Sequence, residues 1–416
     1  MLKKLYAQKH LIIVCFIILF SWISFFPQPL HDRYAFHARL FYGIFFVLLV
    51  LNREYRDGLF SLKDWPLWLF IVSLFSGTAN AIDKTVAFKT YWYLAITCFF
   101  IFYIGKALFA YENNRNIICE IICVCGCLVV FVGIPELYFG RNIIYEKFVQ
   151  NYFYRRYAGF RMMSTLSNPT VMGTYMLGCL PFALYLCKGK TIYLKILGKF
   201  SIFLFVFAII LTFSRSVLFG LIVLLLFYLW NRKNIRLLFF SIIFLTSFLF
   251  FNSCQKNLCF QRLGFKGMVS GAYGSAVSQY RFDRLNMAVK MFKSYPLFGI
   301  GLNHFRIRFN EFRSKASDEI TAEFMIPDNM YLTFLSETGL IGSLGLLVFI
   351  FSIFNRGLNQ FKKINDNNKK QRALAILSAL AGFLIVMCGY ELFYWDSPYL
   401  FFCLICGFIS LPKLQT

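Results

Sequence analysis

Four arginines lie next to apolar stretches of the chain, where a guanidinium group can bind phosphate. Arg215 is in the string LTFSRS, between two apolar stretches with almost no connection. Arg281 and Arg284 lie on one face of the segment 278–293, and Arg161 is in a basic connection. Arginine can hold phosphate through two parallel hydrogen bonds. The alternatives are an interfacial arginine at position 215, whose charge reaches the membrane surface, and a solvated helix face at 281 and 284.

Carboxylates and their neighbours form a second group of candidates. Asp328, Asn329 and Tyr331 open a late apolar stretch, Glu337 lies inside it, and Glu391 closes the next one. A carboxylate within a membrane span is costly and usually has a partner or a task, and one next to a hydroxyl can take its proton. The alternatives are a helix N-cap at Asp328 and a structural hydrogen bond at Glu337.

The elements that must position these residues are membrane-spanning helices. The 416 residues are 59% hydrophobic and only 15% charged, whereas about a quarter of a soluble domain is charged. The apolar residues form blocks of roughly 17–25, which cross a bilayer as helices. The sequence therefore predicts an all-α polytopic membrane protein with about twelve spans, near 10–27, 36–52, 66–82, 90–110, 117–138, 170–187, 193–213, 214–230, 236–251, 332–355, 372–394 and 397–412.

The distribution of Lys and Arg predicts the orientation of these spans. Cytoplasmic connections carry an excess of both residues, and such an excess occurs in every second connection. With the N-terminus in the cytoplasm, the C-terminus falls there too. The residues concerned are Arg53, Arg56, Lys63, Lys106, Arg115, Lys188, Lys190, Arg232, Lys233, Arg236, Arg356, Lys362, Lys363, Lys369, Lys370 and Arg372.

Two outward connections, 139–169 and 252–328, are basic against this rule. The second is the one large loop, with eleven Lys or Arg and six Asp or Glu. It is either a solvated basic loop, a loop in contact with anionic lipid headgroups, or a binding site for an anionic ligand at the outer membrane face. Its segment 278–293 has the spacing of an amphipathic helix that could lie on the membrane, and Gly299 and Gly301 predict a turn after it. The apolar residues near helical spacing are Tyr280, Leu285, Ala288, Val289 and Phe292. Cys254 and Cys259 in this loop could pair in an oxidising space. Despite the net charge of +24, no nucleic-acid module is indicated.

Four strings, in order along residues 158–342, resemble the superfamily of O-antigen ligases and polymerases. They are AGFRMMSTLSNPTVMG, LTFSRS, RFDRLNMAVKMFKSYPLFGIGLNHF and DNMYLTFLSETGLIG. The first 150 residues are similar only in hydropathy. The expected division is therefore an N-terminal group of spans, 1–150, and a ligase- or polymerase-like region, 151–416, that includes the loop 252–328.

The resemblance implies a C-type glycosyltransferase-like fold in the bacterial inner membrane, with its active face in the periplasm. It implies an inverting, metal-independent transfer of glycan from undecaprenyl diphosphate, without a cofactor. Arg215 and Arg281 take the positions of the family's two functional arginines, and Asp328 stands where the family usually has His. Arg161, Arg284, Asn329, Tyr331, Glu337 and Glu391 are further expected contacts to the diphosphate or the glycan.

The acceptor expected from the resemblance is either a second lipid-linked unit, in a polymerase, or lipid A-core, in a ligase. The departure at Asp328 favours the polymerase, with a chain-length regulator as a further candidate partner. Two other classes remain open. A transporter or lipid flippase predicts paired charges deep in several helices, of which the sequence shows few. A non-catalytic scaffold explains the basic loop but not the pattern of Arg and Gly.

Overall fold

The structure, a computed structural model, describes residues 2–25, 28–56, 59–110, 112–139, 161–166, 168–231, 274–312 and 326–411. For a few of these it describes the backbone only, and residues 274–281 are among them. The candidate disulfide pair Cys254 and Cys259 lies outside the described residues. So does the boundary near residue 150, and the division into two regions therefore stays a prediction.

Within these segments every regular element is helical. The longer helices follow the apolar blocks of the sequence, and short 3-10 turns precede or follow several of them. The α-helices are α1 (Leu2–Phe25), α2 (Gln28–Leu51), α3 (Arg53–Arg56), α4 (Trp65–Leu74), α5 (Lys84–Leu108), α6 (Glu112–Phe139), α7 (Pro169–Leu186), α8 (Ile192–Leu211), α9 (Arg215–Asn231), α10 (Gly274–Ser294), α11 (Phe309–Phe312), α12 (Met330–Lys363), α13 (Asn367–Met387) and α14 (Asp396–Ile409).

The all-helical membrane architecture expected from the sequence is confirmed. Six of the described helices, α5, α6, α7, α8, α12 and α13, are long and apolar enough to cross a membrane, and four shorter apolar helices accompany them. The predicted span 236–251 lies outside the described residues. The total of twelve spans and the periplasmic side of the large loop therefore stay predictions.

Two predicted spans are not continuous helices. The span predicted at 66–82 ends as α-helix at Leu74 and continues as a 3-10 turn, Phe75–Thr78, where the carbonyl of Gly77 accepts from the amide of Leu302 over 2.8 Å. The span predicted at 332–355 lies in α12, which breaks at Gly339. Both irregularities face the same loop, 296–305, and the candidate site lies around that loop.

The helices pack as one bundle around α7. Its most apolar window is 89% buried, whereas that of α8 is 39% buried, so α8 presents a lipid-facing side. The other main pairs are α5 with α14, α9 with α13, and α12 with α4. Glycines allow close approach where helices cross: a Cβ on Gly220 of α9 would lie 2.9 Å from the carbonyl oxygen of Gly382 on α13.

The basic connections meet at one end of this bundle, which we call the basic end. There Lys106 donates to Asp64 over 2.6 Å, and Arg356 donates to the other oxygen of Asp64 over 3.0 Å. Arg372 donates to the carbonyl of Lys188 over 2.8 Å. These contacts join the start of α4, the ends of α5, α7 and α12, and the start of α13. The opposite ends of the same helices form what we call the site end.

Candidate functional site

The tight turn between α8 and α9 holds two of the predicted arginines. Arg161, which is buried, donates from Nε to the carbonyl of Thr212 over 2.7 Å. Phe213 has a φ of 48°, which lets the chain reverse so that α9 begins at Arg215. Arg215 is partly exposed. The hairpin thus presents one guanidinium at the start of a helix, where the helix dipole also favours anions, with a second arginine behind it.

The start of α12 is fixed to the end of α13 by two predicted residues. Asn329 is the N-cap: its Oδ1 accepts from the amide of Leu332, and its Nδ2 donates to the carbonyl of Cys388, both over 3.0 Å. Tyr331 donates to the carbonyl of Leu384 over 3.0 Å. Both side chains hold the two helix ends together at the edge of the site.

Asp328 precedes this cap and forms an ion pair. The N-cap is Asn329, so the alternative of a cap at Asp328 does not hold. Asp328 instead has a φ of 52°, and its Oδ2 accepts from Nη2 of Arg284 over 3.0 Å. The arginine side chain is 4% exposed and the aspartate 21%. Arg284 is therefore not on a solvated face but ties α10 to the start of α12.

For Arg281 the structure describes the backbone and not the side chain. Its backbone lies in α10, one turn before Arg284, and residues three apart in a helix share a face. The buried face of α10 consists of Arg284, Met287, Ala288 and Met291. The apolar face expected from the sequence, which included Val289 and Phe292, is thus rotated by about one residue, because α10 packs on the loop core instead of lying free.

Glu391 is in the connection between α13 and α14, next to Asp328. The hydroxyl of Thr333 donates to Oε1 of Glu391 over 3.1 Å, and no donor within the described segments contacts Oε2. Burial removes hydration from this carboxylate, and the negative charge of Asp328 disfavours a second charge. Together they raise the pKa of Glu391 to about 8. A carboxyl group with this pKa accepts a proton more readily than an ordinary glutamate.

The hairpin of Arg215 meets the carboxylates through Gly389. A Cβ on Gly389 would lie 2.8 Å from Cβ of Ser216, the residue after Arg215. Gly389 directly follows Cys388, which accepts from Asn329, and lies two residues before Glu391. These contacts therefore connect the start of α9, the α13–α14 connection, the start of α12 and Arg284 of α10 at the site end.

Glu337 lies deeper and is engaged by a loop. Its two oxygens accept from the amides of Asn303 and Phe305 over 2.9 and 3.0 Å, and Tyr394 donates its hydroxyl to the same carboxylate. In this structure the carboxylate stabilises the turn that follows Gly301. Contact with the glycan, expected from the sequence, stays a prediction for this residue.

The glycines of the same motif have a geometric role. Gly339 has a φ of 64° and Gly299 a φ of 69°, and a Cβ on either would lie within 2.4 Å of the opposite backbone. Around them, Ile300 donates to Ser336 over 2.9 Å and Leu340 donates to Pro296 over 2.8 Å. The turn thus enters the break in α12, and this close approach explains the Gly-x-Gly and Glu-x-Gly spacings.

Several residues of the site were not predicted from the sequence. Thr333 and Tyr394 hold the two buried glutamates, and His304 accepts from the amide of Asp83 over 3.0 Å, which ties the loop to the first half of the chain. The charge of Arg306 also acts on Glu391. Thr333 lies four residues after Asn329, one turn of the same helix face, and this spacing was a usable signal.

Comparison with known families gives one match for this region. The family model described as O-antigen ligase matches residues 200–347, which include the second part of α8, all of α9, α10 and α11, and the first half of α12. The resemblance inferred from the four strings is thereby confirmed. No curated protein matches the chain significantly.

Proposed function

We propose that this chain, a member of the O-antigen ligase and polymerase superfamily through residues 200–347, transfers glycan from undecaprenyl diphosphate to an acceptor hydroxyl. The observation that carries the proposal is that Arg215, the Arg284–Asp328 pair and Glu391 belong to helix ends on one side of the bundle, where Gly389 packs against Ser216. Cations there can neutralise a leaving group next to carboxylates that can take a proton. The all-helical bundle is compatible with a C-type glycosyltransferase-like fold.

The arginines act on the departing diphosphate. Its charge grows as the bond to the anomeric carbon breaks, and preorganised cations stabilise such developing charge without a metal. Arg215 at the start of α9 makes the direct contact, and Arg281 of α10 is the second proposed cation. Arg161 supports the hairpin from behind through its bond to Thr212. The diphosphate leaves with the electron pair of the broken bond.

The carboxylates act on the acceptor. Because Asp328 is already engaged in its ion pair with Arg284, we assign proton acceptance to Glu391 and the orientation of Arg284 to Asp328. The acceptor oxygen forms its bond to the anomeric carbon from the face opposite the diphosphate, while its proton passes to Glu391. The product is inverted at that carbon.

The acceptor is proposed to be a second lipid-linked repeat unit, since Asp328 stands where ligases usually have His. The description of the matching family model, O-antigen ligase, favours the second candidate, transfer to lipid A-core. In either case we place the basic end in the cytoplasm, with both termini, and the site end at the periplasmic face of the inner membrane. This orientation follows from the Lys and Arg at the basic end.

The experiment that tests the proposal uses purified full-length protein in nanodiscs. Undecaprenyl-diphosphate-linked repeat units are supplied with or without lipid A-core, and the products are separated by size. We expect long lipid-linked chains without core. Products attached only to core would identify the ligase instead. Movement of the lipid-linked units across the bilayer without any joining would contradict the proposal and favour a flippase.

A further inference from the structure

Arg308 is a buried cation with unused hydrogen-bonding capacity. Its residue is 8% exposed, and its Nε and Nη1 have no hydrogen-bond partner within the described part of the chain. The nearest described carboxylate is Glu311, 3.7 Å from Nε and itself half exposed. A guanidinium group stays charged in proteins, and leaving its buried hydrogens without acceptors is costly. Because the ion pair with Glu311 is long and satisfies none of these hydrogens, the guanidinium keeps the capacity to bind a further anion.

The surroundings of Arg308 are apolar and face outward. Its guanidinium lies over the ring of Tyr295, 4.6 Å from the ring centre. Ile307, the residue before Arg308, is 45% exposed, and Leu297 and Phe298, which follow Tyr295 in the chain, are 55% and 40% exposed. Such a combination of an aromatic ring, outward apolar side chains and a cation is typical of the interface between acyl chains and headgroups.

The contact of the turn after Tyr295 with α12 gives the level of that turn relative to the bilayer. Leu340 and Ile341 donate their amides to the carbonyls of Pro296 and Leu297 over 2.8 and 3.3 Å. An exposed apolar row begins at the same level and follows α12 away from the site end. Its members are Leu340, Ile341, Leu344, Leu347 and Phe351.

Because this row belongs to a helix long and apolar enough to span the bilayer, it marks the acyl-chain region. Leu297 and Phe298 extend the row at its upper edge. Since Tyr295 directly precedes the segment that bonds to Leu340, we place Tyr295 and Arg308 at the level of the headgroups, where lipid phosphates are found.

We propose that Arg308, Tyr295 and the turn Leu297–Phe298 form a docking site for an anionic phospholipid, distinct from the diphosphate site at Arg215. The phosphate accepts hydrogen bonds from the guanidinium, and the acyl chains continue along the exposed row of α12. We favour a phospholipid because the apolar residues next to the cation join that row without interruption. The bound lipid would hold the loop 296–305 at its place against α12.

The test compares single variants of the full-length protein. Nanodiscs of phosphatidylcholine are prepared with a minor fraction of phosphatidylglycerol, and the lipids retained by the protein are counted by native mass spectrometry. We expect the wild type to retain phosphatidylglycerol preferentially. Arg308→Gln should lose this preference by about tenfold, the loss of one charge-assisted contact, and Arg308→Lys should lose less. Lys290→Gln, which removes an exposed charge from α10, is the matched control and should match the wild type.

A second variant distinguishes a loss of lipid binding from a folding defect caused by substitution of the buried Arg308. Leu297→Asn removes an exposed apolar side chain and leaves Arg308 in place, and it should weaken retention of phosphatidylglycerol while the melting temperature stays unchanged. Equal retention by the wild type, Arg308→Gln and Leu297→Asn would overturn the proposal. Displacement of the lipid by glycerol 3-phosphate at equal concentration would also overturn it, since the site would then recognise a soluble phosphate.

Discussion

The two ends of the bundle use the same residue types in opposite ways. At the basic end, one carboxylate oxygen of Asp64 accepts from Lys106 and the other accepts from Arg356. Asp64 and Lys106 are both almost completely buried. At the site end, Asp328 is one-fifth exposed and Arg215 is partly exposed. Charges that saturate one another inside the protein hold helices together. Charges that stay accessible at a helix end can meet a ligand.

The comparison predicts the largest effect at the basic end. Asp64→Ala leaves the buried Lys106 and the partly exposed Arg356 without their shared counter-charge, so the free energy of unfolding should fall by about 3–5 kcal/mol. Thermal unfolding in one detergent measures this change. Asp366→Ala, which removes an exposed N-cap at the same end, is the matched control and should have a smaller effect. A drop no larger than that of the control would mean that the buried cluster is not what holds this end together.

The next effect concerns activity and not stability. Arg215→Ala should lower kcat by about 100- to 1000-fold, the usual cost of one group that stabilises developing charge, with little change in melting temperature because the residue is partly exposed. Single-turnover joining of lipid-linked units measures it. Lys195→Ala, an exposed residue nearer the other end of α8, is the control. Wild-type turnover in Arg215→Ala would remove this arginine from the mechanism.

The raised pKa of Glu391 at the site end predicts that activity depends on pH. With a pKa raised to about 8, the free enzyme carries the protonated form at neutral pH, so kcat/KM should rise with pH to a midpoint near 8. The same shift makes the folded state most favoured below the ordinary pKa of 4.5, and this stabilisation is lost as pH rises through 8. Glu391→Gln should lower the rate by about 100-fold and flatten the profile. A profile that keeps its midpoint in this variant would assign the proton to another group.

The smallest effect is expected at Asp328. Asp328→Asn keeps the shape but removes the charge that orients Arg284, so kcat should fall by about tenfold through misplacement of the arginine. Stability should fall by about 1 kcal/mol, because the aspartate is partly exposed to water. A loss as large as that of Glu391→Gln, together with a lost pH midpoint, would make Asp328 the proton acceptor.

The local features of this molecule were predictable from the sequence. Apolar blocks predicted the helices, LTFSRS predicted the tight turn before Arg215, and Gly299 and Gly301 predicted a turn after α10. Each depends on neighbours in the chain, such as the length of an apolar run or the freedom of glycine to take a positive φ.

The long-range contacts could not be predicted in the same way. The Arg284–Asp328 pair joins residues 44 apart, and the break of α12 at Gly339 exists because the loop 296–301 enters it. The face of α10 was predicted one residue out of register, since its neighbours Ile300 and Phe305 come from that loop. Hydropathy carries no information on which loop will supply a partner, so the pairing of the charges required the three-dimensional arrangement.

The most direct measurement of the central claim is the protection of Cys388 from a maleimide. Among the described residues Cys388 is the exposed cysteine, and its carbonyl accepts from Asn329 at the site, whereas Cys187 lies at the basic end. Labelling of each peptide is followed by mass spectrometry. Undecaprenyl-diphosphate-linked glycan should slow the labelling of Cys388 in the wild type, not in Arg215→Ala, and leave Cys187 unchanged. Equal labelling of Cys388 with and without the lipid-linked glycan would contradict the account.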